Sequence, residues 1–180
     1  LSLITGSISD VNDVLAEETS QGNAGQQIDL DTNFTVTVTD TGSVAATTLT
    51  TLDSGVPGTV TATTVDTVTG TAAAIAAAAT ADTNGTLVLK SDFAATVDAG
   101  AVNASDLSTI SGRTTGTVNA TAATAINGTA TAVTAALADT EISHTNTFDV
   151  TLTADSTATA AELIAINAAT TKSVTATGVT

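Results

Sequence analysis

The chain has 180 residues and a net charge of −15 at neutral pH, with Lys90, Arg113 and Lys172 as its basic side chains. That balance excludes a basic patch and with it ordinary nucleic-acid binding. With no Cys, Trp, Tyr or Met, and only Phe34, Phe93 and Phe148 as aromatics, the core has to be built from Val, Leu, Ile and Ala, which suits a stack of thin layers better than one wide centre.

In chain order, Ile4 to Val11 (ITGSISDV) reads as a strand end, a glycine corner and a helix start. Ser7-Ile-Ser-Asp10 there has the capping-box form. Residues 16–33 (AEETSQGNAGQQIDLDTN) are polar and rich in Gly and Gln, as expected of a surface loop, and Glu17-Glu18 is expected to be a solvated charge pair. Phe34 to Thr39 alternates apolar residues with Thr, the period-2 pattern of a strand. A short helix is expected next, around Leu49 and Leu52. The stretch 59–79 (TVTATTVDTVTGTAAAIAAAA) then predicts one strand, a turn at Gly70 and an alanine-rich helix.

The next elements repeat these. Leu87-Val-Leu89 predicts a strand leading, through an insertion at 90–101 (KSDFAATVDAGA), to a helix with Leu107 and Ile110. Residues 117–137 (TVNATAATAINGTATAVTAAL) copy 59–79 at a distance of 58, so Gly70 meets Gly128 and Ile75 meets Val133. Phe148 to Leu152 predicts a strand and Ala160 to Ile166 a helix, with a second capping box at Thr159-Ala-Ala-Glu162. The chain closes on Ser173 to Thr180 (SVTATGVT), which matches 59–66.

Self-similarity of this kind decides architecture. The whole of 1–180 reads as a single repeat array of two alternating half-units, A and B. Its boundaries fall at 1–33 (part of B, with the loop 16–33), 34–58 (A), 59–85 (B), 86–116 (A), 117–143 (B), 144–172 (A) and 173–180 (part of B). Strand–helix alternation favours parallel strands with right-handed crossovers. The expected fold is therefore an α/β solenoid, parallel strands stacked on one side and short Ala/Leu helices on the other, with a mostly β solenoid as the alternative.

Both ends fall inside a unit. Either the chain is a window on a longer tract, or its ends complete each other between neighbouring subunits by strand addition. On the second reading Leu1, Leu3, Ile4, Val174 and Val179 are the candidate joint residues. With no initiator Met and no signal-peptide pattern, a mature form or a fragment is expected. The longest apolar run, Ala72 to Ala79, is far shorter than the roughly 20 residues of a membrane span.

The stretches "ASDLSTI … TTGTVNATAATAINGTATAVTAAL" and "TVTATTVDTVTGTAAAI" resemble the Thr/Ala-rich tandem "beta strand repeat" tracts of very large extracellular proteins of cyanobacteria and other aquatic bacteria. The resemblance covers nearly the whole chain apart from 16–33. It implies secretion and a role in a surface layer, adhesin or fibre; the unbroken repeat with uncapped ends adds the expectation of a filament, with other copies or neighbouring repeats as the partner. It carries no catalytic residues with it.

Chemistry is sparsely provided for. His144 is the sole His, expected in a loop, and zinc, P-loop and Gly-x-Gly patterns are absent. Asp40, Asp53, Asp66, Asp82, Asp92, Asp106, Asp139, Asp149 and Asp155 could supply oxygen ligands to Ca²⁺, but they read better as turn and cap residues. No other cofactor is expected, and no catalytic residue. Five Asn stand in N-x-S/T form and are glycosylation candidates: Asn33, Asn84, Asn103, Asn119 and Asn127. Thr-x-Thr at 35/37/39, 59/61/63, 151/153 and 175/177 opens a different class, an adhesin or an ice- or glycan-binding surface. An enzyme needing paired carboxylates fits poorly, because the acids are scattered singly over turns.

Overall fold

The computed structural model describes residues 1–19, 28, 30–153 and 157–179, with only the backbone of 18 and 19. The chain opens with β1 (Leu3–Gly6), α1 (Ile8–Thr19), β2 (Thr35–Val38), β3 (Gly42–Ala45) and α2 (Ala46–Gly55). It continues through β4 (Val60–Ala62), β5 (Val65–Gly70), α3 (Ala72–Asn84), β6 (Leu87–Leu89), β7 (Ala94–Val97), β8 (Gly100–Asn103) and α4 (Ala104–Ser111). The last elements are β9 (Val118–Asn119), β10 (Ala123–Gly128), α5 (Ala130–Ala138), β11 (Ile142–Ser143), β12 (Asp149–Leu152), α6 (Ala160–Ala169) and β13 (Val174–Thr175).

The architecture is mixed α/β, with three sheets in the orders β1-β2-β4-β6, β11-β9-β7-β5-β3 and β13-β12-β10-β8. Every strand pair in them is parallel. Successive apolar residues sit rung upon rung: Ile4, Val36, Val60 and Leu87 in the first sheet; Val44, Val68, Ala95, Val118 and Ile142 in the second; Val102, Ile126, Val150 and Val174 in the third. The helices from α2 to α6 pack each on the next. The second sheet takes β3 and β5 from before α3 and β7, β9 and β11 from after it, so it runs past the point where the first sheet ends and the third begins.

The two copied stretches expected to open with one strand hold two strands apiece. Residues 59–70 form β4 and β5, with a corner at Thr63 and Thr64, and 117–128 form β9 and β10. No Gly or Pro marks those corners. The Thr64 hydroxyl makes the first one by donating to the carbonyls of Val38 and Asp40 on the preceding turn of chain. The expected glycine corners are present: Gly70 and Gly128 have φ of 140° and 153°, a region open to glycine without strain. Thr71 and Thr129 follow them as helix N-caps, accepting from the backbone N–H of Ala74 and Ala132. Thr159 and Glu162 form the complete capping box on α6. The Ser7 hydroxyl accepts from Asp10 N and donates to the Asp10 carboxylate, while the N–H of Ile8 goes to Asp40.

The stretch 90–101 is no mere insertion. It contains β7, whose Ala95 and Val97 are buried in the second sheet. Three buried Phe side chains mark the true correspondence. Phe34 precedes β2, Phe93 precedes β7 and Phe148 precedes β12, so these three strands correspond. Leu87–Leu89, aligned with Phe34–Thr39 from the sequence, belongs instead with Ile28 to Leu30 and Ile142 to His144, each six residues ahead of a Phe. Each Phe carbonyl ties down the chain beyond the next helix, accepting from Gly58 N, Thr114 Oγ1 and Thr170 Oγ1 respectively. Of the expected loop 16–33, α1 takes 16–19, and 20–27 and 29 lie outside the described residues.

Candidate functional site

Two of the edge strands, β1 and β13, come from the first and last stretches of the described chain. In the five-stranded sheet, β5 lies between β3 and β7, and β9 between β7 and β11. β10 and β4 are likewise flanked on both sides. Ile4-Thr5-Gly6 of β1 corresponds to Val68-Thr69-Gly70 of β5 and Ile126-Asn127-Gly128 of β10, yet β1 is an edge strand with β2 as its neighbour. Val174-Thr175-Ala176 corresponds to Val60-Thr61-Ala62 and Val118-Asn119-Ala120, yet β13 is an edge strand with β12 as its neighbour. β1 and β13 are thus inner strands by sequence that sit at edges. Their outward N–H and C=O rows are templates for parallel pairing.

Side-chain burial follows the same rule. Val60, Ala62, Val118 and Ala120 are buried, while Val174 is half-buried and Ala176 exposed. Ala46 and Ala104 at the start of α2 and α4 are buried, while Ala160 of α6 is exposed. Leu49 and Leu107 are buried, while Leu163 is half-buried. Among the described residues the exposed large apolar side chains are Leu1 (65%), Leu3 (51%) and Ile164 (69%), all at these two ends. Of the five expected joint residues, Leu1 and Leu3 are exposed, Ile4 is buried, and Val174 and Val179 are half-buried. An apolar groove of about 150 Å³ lies beside the second end, between α5 and α6, lined by Thr134, Leu137, Ala138, Ala165, Ile166 and Ala169.

The sequence-derived candidates elsewhere are scattered. Asn33, Asn84, Asn103 and Asn119 are exposed and Asn127 is half-buried in β10. Asn119 accepts from the N–H and hydroxyl of Thr121, and Asn103 donates to Asp106. His144 is half-buried just past β11, its Nδ1 2.8 Å from the Thr145 carbonyl oxygen and its ring edge-on to Phe148. Glu17 is exposed in the last turns of α1.

The acids mostly hold the chain to itself. Asp40 takes Ile8 N, Asp53 the Thr86 hydroxyl, and Asp149 the N–H of Ser173. The Ser111 hydroxyl on Asp139 and the Lys90 ammonium on Asp66 each hold the carboxyl below its ordinary value, and Lys90 is raised in turn. Lys90 also reaches Asp92. The Thr159 N–H, with the Thr131 and Thr159 hydroxyls, lowers Glu162. Asp82 is neither a turn nor a cap residue. It is buried on α3, paired with Arg113 and accepting from Leu89 N. Asp155 lies outside the described residues. Among the described residues no three His, Cys, Asp or Glu side chains group as metal ligands would, and no helix is long and apolar enough to cross a membrane. Comparison with protein-family models, curated proteins and solved structures returns no match for this chain.

Proposed function

We propose that this chain is an extracellular structural repeat protein, an α/β solenoid that builds or extends a filament, fibre or surface layer by head-to-tail stacking. The observation that carries the reading is the placement of β1 and β13, inner strands by sequence that lie open at the two ends of the ladder. The excess of acid keeps the surface soluble and discourages lateral clumping. Extracellular placement and glycosylation of exposed sequons such as Asn33 and Asn84 belong to the same reading, supported by the resemblance to secreted repeat tracts. Electron microscopy and light scattering of the purified chain test it: elongated, concentration-dependent particles are expected, and a compact monomer at every concentration overturns it.

A second reading, an adhesin or an ice- or glycan-binding surface, has one specific observation in its favour. Thr5, Thr37 and Thr61 stand in register on adjacent strands, and Thr69 beside Thr96 forms a shorter rank. Strand spacing puts such rungs about 4.8 Å apart. Thermal hysteresis or glycan-array binding is the test, and a blank result in both removes this reading.

A further inference from the structure

We infer that the two ends dock on each other in a second copy of this chain through two reciprocal strand additions in a defined register; this rests on the assembly reading above. The molecule contains its own templates for both. Val60 pairs with Leu87, and Val118 with Ile142. Val174 is the third residue of the first set, and Ile28 the third of the second, since Ile28-x-Leu30-x-x-x-Phe34 repeats Leu87-x-Leu89-x-x-x-Phe93 and Ile142-x-His144-x-x-x-Phe148. The joint therefore places Ile28 of the second copy beside Val174, outside β13.

The other addition runs the opposite way. Val44 pairs with Val68, and Val102 with Ile126. Val44 and Val102 each lie five residues before a buried helix leucine, Leu49 and Leu107. Ala158 stands in the same place before Leu163, and Ile4 corresponds to Val68 and Ile126. Ala158 of one copy accordingly lies beside Ile4 of the next, outside β1. Both four-stranded sheets gain a strand and reach the composition of the five-stranded one. The same placement sets α1 of the second copy against α6, as α3 sits against α2 and α5 against α4. Ala160, Leu163 and Val174 are then covered as their internal counterparts are. The partner is a second copy rather than an unrelated edge because the segments that repeat the internal pairing partners lie at the opposite end of the same chain.

The chain has no cysteine of its own, so a pair can be introduced cleanly. Parallel strands about 4.8 Å apart fall within disulfide reach. The double variant Ile28→Cys/Val174→Cys is oxidised in high salt, which screens repulsion between acidic copies, while light scattering records assembly. A ladder of covalent oligomers on a non-reducing gel is expected, with a 28–174 linked peptide by mass spectrometry; each single variant goes no further than dimers. Particles that assemble without a 28–174 link overturn the joint and leave the assembly reading standing. Monomers throughout overturn both. Leu163→Asp in the cysteine-free chain is the second arm: unchanged circular dichroism with assembly lost is expected, and assembly like that of the parent chain overturns the joint.

Discussion

Asp82, buried on α3, is paired with Arg113, which stands just beyond α4. The same carboxylate accepts the N–H of Leu89 in β6, so three elements meet on one buried charge. Arg113→Met leaves that charge without its cation and is expected to cost about 3 kcal/mol. Adding Asp82→Asn keeps an acceptor for Leu89 N and recovers most of the loss. Urea unfolding of the three variants measures the cycle, and an additive double variant counts against the pairing.

Gly58 and Gly116 are required by space and not by φ. A Cβ at either would collide with a backbone oxygen, that of Phe34 or of Phe93. Gly58→Ala and Gly116→Ala are each expected to destabilise by roughly 2 kcal/mol, the scale of overpacking that moves backbone. Lys172 holds the corresponding place after α6, so a change there to Ala is expected to be near neutral. Chemical denaturation of the set checks the contrast.

Helix starts offer a finer comparison. Thr71→Ala and Thr129→Ala each remove a hydroxyl acceptor and are expected to cost about 1 kcal/mol. Thr159→Ala removes, besides the acceptor for Glu162 N, the bond its hydroxyl donates to the Glu162 carboxylate, so its effect is the largest of the three. Thermal melts in one buffer rank them.

Acid should loosen the fold in a defined window. Asp66, Asp139 and Glu162 are all held below their ordinary values of 3.8, 3.8 and 4.5 by bonds made in the folded state. Their contribution is present above those values and is lost as pH falls through the lowered ones. Lys90 is raised above 10.5 by Asp66, so its contribution is present below that value and lost as pH rises through the raised one. Melting temperature against pH is expected to fall at both extremes, and Glu162→Gln should flatten part of the acid limb. A parent profile that keeps falling between pH values of about 6 and 9 contradicts this assignment.

Much of the framework was legible in the residues. Thr/Val alternation gave strands, Gly70 and Gly128 gave corners, and Thr159 with Glu162 gave a cap. The doubling of strands was hidden because the corner after Ala62 is made by hydroxyl bonds from Thr64 to another layer, which no local pattern announces. The alignment slipped at Leu87 because two leucines look like any buried strand, and the Phe anchors at 34, 93 and 148 fix the register only through carbonyls reached from the following layer. Asp82 escaped for the same reason: its cation lies a whole helix further on. The candidate joint was visible as sequence overlap, but which strand lies outside which edge depends on pairings made in space.

The hand-over between sheets has a mechanical consequence. The first sheet stops at β6 and the third starts at β8, but the second runs unbroken from β3 to β11, as courses of brick overlap so that no joint passes through the wall. Tension along the stack therefore meets an intact hydrogen-bonded ladder at the layer where one sheet gives way to the next.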